Sequence, residues 1–233
     1  MIDQQPAPGS VPGAGAMTQR ERELTARIHT IVTVDANTIL VKVLAPNALA
    51  RYMRRDVSPG VWGKEAPFDY RIVGGTVARM VDVAQLCTPA EFLRAFRLDF
   101  TGSPFTPQLP MLYVMELATV DPSLVVLPLG APAPPFPPQG YPPNMSDVRV
   151  TGQRMIDAAK SAGVDPNSYR LEHNPWPYTG TGITADAELG VPERWRRYAP
   201  VPPGAAIVGY DQAGNKRPVA IYRGPVTGWE ALQ

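Results

Sequence analysis

The chain has 233 residues, of which 44% are hydrophobic, and its formal net charge is +1. This length suits one large domain or two small ones, and the hydrophobic share suffices for a packed core. A nearly neutral chain lacks the basic face that neutralises phosphates, so we expect no nucleic acid partner. No apolar run has the length of a membrane-spanning helix, and we therefore expect no transmembrane segment.

The first twenty residues are rich in Pro, Gly, Ala and Gln and have no apolar central region. This composition is typical of a disordered tail or linker and not of a signal peptide. We therefore assign residues 1–20 to a tail or linker, and we expect the chain to be part of a longer protein.

Two β-rich runs follow, at residues 28–34 and 38–44. Between them stands Asp35-Ala36-Asn37, and Asp and Asn favour turns. The pattern predicts a β-hairpin.

Residues 46–57 read as a short helix that ends at Ser58-Pro59-Gly60. This helix carries three basic side chains, Arg51, Arg54 and Arg55. Two interpretations are open: a solvated helix face, or a patch that binds anions.

Residues 70–83 form a long run of β-branched and aromatic residues that Gly74-Gly75 interrupts. Such a run favours a strand. Glycines inside a strand indicate a β-bulge or a close approach of another backbone.

Directly after this run, Thr88-Pro89-Ala90-Glu91 has the pattern of a helix start. Thr88 can cap the first free N–H groups, Pro89 suits the first helical position, and Glu91 can reach back to the cap. We expect a helix of about three turns. The single cysteine, Cys87, is expected to be a small buried hydrophobe, the alternative being a catalytic thiol.

The second half contains further elements around a proline tract. Residues 111–118 (MLYVMELA) predict a core strand beside the run at 70–83, and residues 146–162 predict a helix. Residues 205–210 and 218–223 flank a turn with Gly and predict a hairpin. Residues 128–145 are rich in proline and predict an extended crossing.

These patterns together predict an α+β fold, with a mostly antiparallel sheet and a few short helices. We divide the chain at the proline-rich segment 128–145. An N-terminal α+β subdomain spans residues 21–127, and a C-terminal α+β subdomain spans residues 146–233.

The segment with the composition of a binding loop is residues 172–184. Prolines stiffen a loop, glycines let a backbone approach a ligand, and aromatic rings offer flat contact area. The ligand-binding candidates in it are His173, Trp176, Tyr178, Gly180 and Gly182. The alternative is that the aromatic side chains only pack this loop against the core.

One further residue, Arg71, completes the candidate site. Arg71 suits an anionic ligand, because its planar fork matches phosphate and carboxylate groups. No metal site is expected, because the histidines, His29 and His173, stand far apart and no paired-cysteine spacing occurs.

The Ala-Pro-Gly tracts, the stretch RIVGGTVAR and the stretch LRAFRLDFTGSPF give the chain the texture of an actinobacterial protein. From residue 28 onward it resembles the C-terminal region of a larger, conserved hypothetical protein of mycobacteria that is expected to be exported. This resemblance implies a secreted or cell-envelope location, with a cytoplasmic one left open.

The strand opening Asp69-Tyr70-Arg71 resembles that of ADP-ribosyltransferase-like toxin domains. The resemblance implies that Arg71 grips the phosphates of NAD. It also implies a Glu on a later turn, for which Glu188 is the candidate, and His173 is the second catalytic candidate.

Two functions therefore stand as hypotheses. The first is a binding or effector module of an exported actinobacterial protein that needs no cofactor and binds a protein or a small molecule. The alternative is an NAD-consuming toxin domain of the ADP-ribosyltransferase or glycohydrolase type, in which NAD would be the cofactor. No phosphate-loop, nucleophile-elbow or zinc-protease motif occurs to decide for an enzyme.

Overall fold

The computed structural model describes residues 33–60, 67–96, 98, 103–126 and 191–232. The predicted tail at 1–20, the proline-rich crossing at 128–145 and the predicted helix at 146–162 lie outside the described residues.

The described chain is built on an eight-stranded sheet in which all neighbouring strands are antiparallel. Its strands are β1 (Ile39–Val43), β4 (Ile72–Arg79), β5 (Met111–Ala118), β6 (Val125–Val126), β7 (Arg194–Pro200), β8 (Ala206–Asp211), β9 (Lys216–Tyr222) and β10 (Trp229–Ala231). The order across the sheet is β10-β9-β8-β5-β1-β4-β7-β6. This architecture confirms the predicted α+β class with a mostly antiparallel sheet.

Short helices and a second, small sheet accompany the large one. The helices are α1 (Ala48–Met53), α2 (Met80–Val83) and α3 (Pro89–Ala95), and one 3₁₀ turn spans Pro122–Leu124. The small sheet pairs β2 (Val57–Ser58) with β3 (Phe68–Asp69).

The large sheet has a hydrophobic cluster on each face. Successive side chains of a strand point to opposite sides, so each long strand contributes to both clusters. On one face, Val41, Val114 and Val208 pack against the α2–α3 region, including Leu86 and Phe92. We call this the helical face. On the other, which we call the α1 face, strand residues such as Leu40 and Met115 pack with Tyr52 of α1 and Trp229 of β10.

The glycine pair in β4 marks both predicted features, a bulge and a close approach. The register between β4 and β7 shifts between Val73 and Gly75. A Cβ on Gly74 would lie 2.8 Å from the Cα of Tyr198 on β7. Only glycine allows the two backbones to come this near.

The predicted helix start is confirmed at α3. The Glu91 N–H donates to Thr88 Oγ1 at 3.3 Å, and the Thr88 N–H donates to Glu91 Oε2 at 2.9 Å, which completes a capping box. The helix is shorter than predicted, because it ends at Ala95 and spans seven residues. Phe96 leaves helical geometry and its ring stacks on that of Phe92.

The prediction that Cys87 is buried is wrong, since the residue is exposed. It stands in the turn before the cap, where its N–H donates to Glu91 Oε2 at 2.8 Å. Its backbone is thereby fixed by the cap while its side chain stays at the surface.

One prediction about strand neighbours differs from the structure. The run at residues 28–34, the predicted hairpin partner of β1, lies almost entirely outside the described residues. Within them, β1 pairs with β4 on one side and with β5 on the other. Strand β5 has the predicted bounds, but β1 separates it from β4. The hairpin of β8 and β9 is confirmed.

Strands from the two sides of the proline-rich segment lie in one sheet. From the C-terminal part, β7 pairs with β4 and β8 pairs with β5. The described portions of the two predicted subdomains therefore share one sheet and its cores.

The capping box leads to a first prediction. Replacing Thr88 with Ala should lower the free energy of unfolding by about 0.5–2 kcal/mol, because the side-chain acceptor for the Glu91 N–H is lost. A urea melt followed by circular dichroism measures this change. Thr106 is exposed, and Thr106→Ala is the control with little expected effect. Equal melts for both variants would contradict the capping role.

Candidate functional site

The structure describes one of the predicted site residues, Arg71. The loop candidates His173, Trp176, Tyr178, Gly180 and Gly182, and the catalytic candidate Glu188, lie outside the described residues.

Arg71 lies in the turn that joins β3 to β4. The resemblance to toxin domains places this arginine on a strand, and the turn directly follows β3. Its guanidinium donates to Asp69 twice, from Nε to Oδ1 at 2.9 Å and from Nη2 to Oδ2 at 2.7 Å. These hydrogen bonds lower the pKa of Asp69, foremost the one from the Arg71 side chain. Arg71 is thus held in a bidentate pair, and its side chain is still 47% exposed.

The three arginines of the α1 region form a second group beside it. Arg54 Nη2 lies 2.9 Å from Asp56 Oδ2, and Arg51 Nε lies 3.8 Å from the same oxygen. The Arg51 guanidinium also stacks on the ring of Phe68, at 4.1 Å from its centroid. The hydrogen bond from Arg54 is the largest cause that lowers the pKa of Asp56.

The small sheet joins these two groups into one surface. Strand β2 follows Asp56 and pairs with β3, so that Val57 stands opposite Asp69. The Tyr70 N–H donates to the Asp56 carbonyl at 3.2 Å. We call the result the arginine surface: Arg51, Arg54, Arg55 and Arg71 with the two carboxylates Asp56 and Asp69.

Aromatic side chains hold this surface on the α1 face of the large sheet. The Trp229 indole N–H donates to the Tyr70 carbonyl at 3.1 Å. The Tyr52 ring lies 5.0 Å from the Phe68 ring and 5.4 Å from that of Trp229, centroid to centroid. The turn that carries Arg71 is therefore anchored in the core.

Arg55 differs from its neighbours because it makes no ion pair within the described part of the chain. It is exposed and has a positive φ of 58°, an uncommon conformation for an arginine. A Cβ on Gly228 would lie 2.9 Å from Arg55 Nε. The side chain thus lies along the loop between β9 and β10, where glycine leaves room for it.

An open cleft of about 460 Å³ lies in the arginine surface. Its lining residues are Asn47, Ala50, Arg51, Arg54, Asp56, Val57 and Ser58. The cleft offers guanidinium, amide and hydroxyl donors, which are the groups that bind phosphate and carboxylate.

Sequence reasoning identified Arg71 and the arginines of α1, and it did not connect them. The connection depends on the pairing of β2 with β3, each two residues long. In Phe68-Asp69-Tyr70-Arg71, aromatic and charged residues alternate. This alternation is typical of a strand and was the signal that could have suggested the pairing with β2.

The comparisons with known proteins add no family. No family model, curated protein or solved structure matches the chain. Within the described residues, no group of three His, Cys, Asp or Glu side chains is placed to hold a metal ion. In the same part of the chain, no helix has the length and apolar character to cross a membrane.

Proposed function

We propose that this protein is a binding module that takes an anionic ligand, with phosphate or carboxylate groups, at the arginine surface. The observation that supports the proposal is an open cleft lined by Arg51 and Arg54, with Arg55 and Arg71 in the chain segments next to its lining residues. The surface as defined contains four arginines and two aspartates, so it has an excess of positive charge in a chain that is nearly neutral overall.

The ion pairs of this surface suit reversible binding. Arg54 and Arg71 are oriented by Asp56 and Asp69 before any ligand arrives, which lowers the ordering cost of binding. Arg55 has no carboxylate partner in the described structure and adds an unpaired positive charge next to Arg54 and Asp56 in the chain. A bound anion would share the paired guanidinium groups with the aspartates.

The proposal keeps the hypothesis of a module from an exported actinobacterial protein, in which ligand binding would serve an effector role. The two carboxylates have lowered pKa values because the arginines donate hydrogen bonds to them, so their role in this proposal is to orient the guanidinium groups.

The NAD-consuming alternative depends on His173 and Glu188 and stays a prediction. NAD carries a pyrophosphate and would use the same arginines. Incubation of the full chain with NAD, followed by measurement of released nicotinamide, separates this alternative from binding alone.

The arginine surface predicts opposite effects for two substitutions. Arg55→Gln should weaken the binding of pyrophosphate about threefold or more, because an unpaired cation is lost. Asp56→Asn should strengthen it several-fold, because the carboxylate no longer competes for Arg51 and Arg54. Isothermal titration calorimetry at low and at physiological salt measures both changes, and binding should weaken as salt rises.

The control is Arg217→Gln, since Arg217 is an exposed arginine on β9. It removes the same charge away from the surface and should leave the affinity unchanged. Succinate replaces pyrophosphate as a carboxylate probe, and adenosine serves as an uncharged one. An affinity for pyrophosphate and succinate that neither Arg55→Gln nor Asp56→Asn alters would overturn the proposal, as would the absence of binding at millimolar concentration.

A further inference from the structure

Strand β2 (Val57–Ser58) borders the open cleft of the arginine surface. The rest of the described lining comes from Asp56 and from α1 with its flanking residues. No described residue of β3 lines the cleft, although β3 is the strand that pairs with β2. The cleft therefore lies along the edge of β2 that faces away from β3.

This outer edge of β2 presents backbone groups that have no partner in the described part of the chain. The Tyr70 N–H donates to the Asp56 carbonyl at 3.2 Å, which makes these two residues a hydrogen-bonded position. Hydrogen-bonded and non-hydrogen-bonded positions alternate along an antiparallel pair. Val57, which stands opposite Asp69, thus has its N–H and C=O directed away from β3. Such an edge is able to pair with a strand from another chain.

The side chains beside this edge match a partner strand that carries acidic groups. Val57 is 60% exposed and offers an apolar contact in the cleft. Arg51 and Arg54 line the same cleft, and their guanidinium groups suit carboxylates and phosphates. A small free anion uses only the arginines. An extended acidic peptide uses the arginines, the Val57 side chain and the unpaired backbone groups together.

We propose that the ligand of the arginine surface is an extended acidic peptide that adds to the outer edge of β2 as a strand. This inference rests on the proposed function and names its class of ligand. The Val57 N–H donates to a peptide carbonyl, and the Val57 C=O accepts from a peptide N–H. Acidic side chains of the peptide pair with Arg51 and Arg54, and an apolar side chain covers Val57.

The test uses an end-blocked hexapeptide in which valine and glutamate alternate. By isothermal titration calorimetry on the full chain, it should bind about tenfold or more tightly than succinate, because backbone hydrogen bonds and an apolar contact are added. Pyrophosphate should compete with it, since both use Arg51 and Arg54. The matched peptide with glutamine in place of glutamate should bind about tenfold more weakly. A version with phosphoserine in place of glutamate identifies the preferred acid, and tight binding of either acidic peptide supports the proposal.

Methylation of the peptide backbone separates strand addition from charge attraction alone. The N–H groups of alternate residues in a strand point to the same edge. One peptide is therefore methylated at the glutamate nitrogens and another at the valine nitrogens. We expect one of them to bind about fivefold or more weakly than the parent peptide, and the other to stay within about twofold of it.

Amide exchange at Val57, followed by nuclear magnetic resonance, reports on the edge itself. This exchange should slow about tenfold or more when the peptide binds, because the Val57 N–H gains an acceptor. Unchanged exchange at Val57, or equal affinities of the two methylated peptides, would overturn strand addition. Slow exchange in a chain that sediments as a dimer without peptide would also overturn it, because a second copy would then occupy the edge.

The small anions keep this failure distinct from failure of the proposed function. Where pyrophosphate and succinate bind but the peptide gains nothing over succinate, the anion site stands and the assignment of a peptide is wrong. Where neither the small anions nor the acidic peptides bind at millimolar concentration, both proposals are wrong.

Discussion

Replacing Arg196 with Met is expected to lower the free energy of unfolding by about 3 kcal/mol or more. Arg196 is buried at the bulge of β7, and burial lowers the pKa of its guanidinium. From there it donates to the carbonyls of Val73, Ala199 and Pro200. These acceptors stand where the β4–β7 ladder is interrupted, so the substitution leaves buried carbonyls without donors.

A urea melt of Arg196→Met against the unmodified chain measures this loss. Arg197→Met is the matched control, because Arg197 is the next residue on the strand and is exposed. Arg196→Lys should fall between the two, since one ammonium reaches fewer carbonyls than the planar fork of arginine. Equal midpoints for Arg196→Met and Arg197→Met would show that the bulge does not need the guanidinium.

Replacing Lys42 with Met is expected to raise the free energy of unfolding at pH 7 by about 2 kcal/mol. In the folded chain the pKa of Lys42 is about 8, compared with its ordinary value of 10.5. Folding therefore disfavours the ammonium form, and this cost is present in full below pH 8. Between about pH 8 and 10.5 the unfolded chain binds more protons than the folded chain, so the cost disappears as the pH rises.

The stabilisation by Lys42→Met should accordingly shrink across that pH window. Denaturant melts of both proteins at pH 7, 9 and 10.5 follow the difference. Lys216→Met is the control, and it should be neutral or slightly destabilising because an ion pair with Glu116 is lost. A Lys42→Met variant that is less stable at pH 7 would mean that the lysine is held by favourable contacts.

Much of the fold could be predicted because its signals are local. The run at 111–118 alternates between the two faces and became β5 within its predicted bounds. The turn chemistry at residues 211–215 determined the hairpin of β8 and β9. The cap at Thr88 depends on groups within four residues of each other. In each case the determining interactions lie within the element or directly beside it.

The features that could not be predicted depend on contacts between distant parts of the chain. Strand β7 contains three arginines among seven residues, a composition that suggests a solvated segment. Arg196 is buried only because carbonyls of both β4 and β7 accept its hydrogen bonds at the bulge. Lys42 of β1 is desolvated because β1 lies between β4 and β5 and the side chains around Lys42, such as Leu40 and Met115, are buried. No local sequence pattern predicts the strand order. Strands β7 and β8 are neighbours in the chain, but they pair at opposite edges of the group formed by β5, β1 and β4.

The candidate site follows the same division. The chemistry of Arg71 and of the α1 arginines could be read from residue type and spacing. Their meeting requires that Asp56 accept the Tyr70 N–H and that Phe68 lie under Arg51. Neither contact has a sequence signature, because both arise from a sheet with only two residues in each strand.

The strand order also shapes how the protein must be made. Strands β1, β4 and β5 leave the ribosome first and can pair with one another, since β1 lies between the other two. The outer edge of β4 stays unpaired until β7 has been made, and the outer edge of β5 stays unpaired until β8 has been made. Until residues 194–211 have been synthesised, the nascent sheet has two long unpaired edges, each able to template pairing with another chain. Successful folding in the cell therefore depends on keeping newly made copies apart until residues 194–211 have been synthesised.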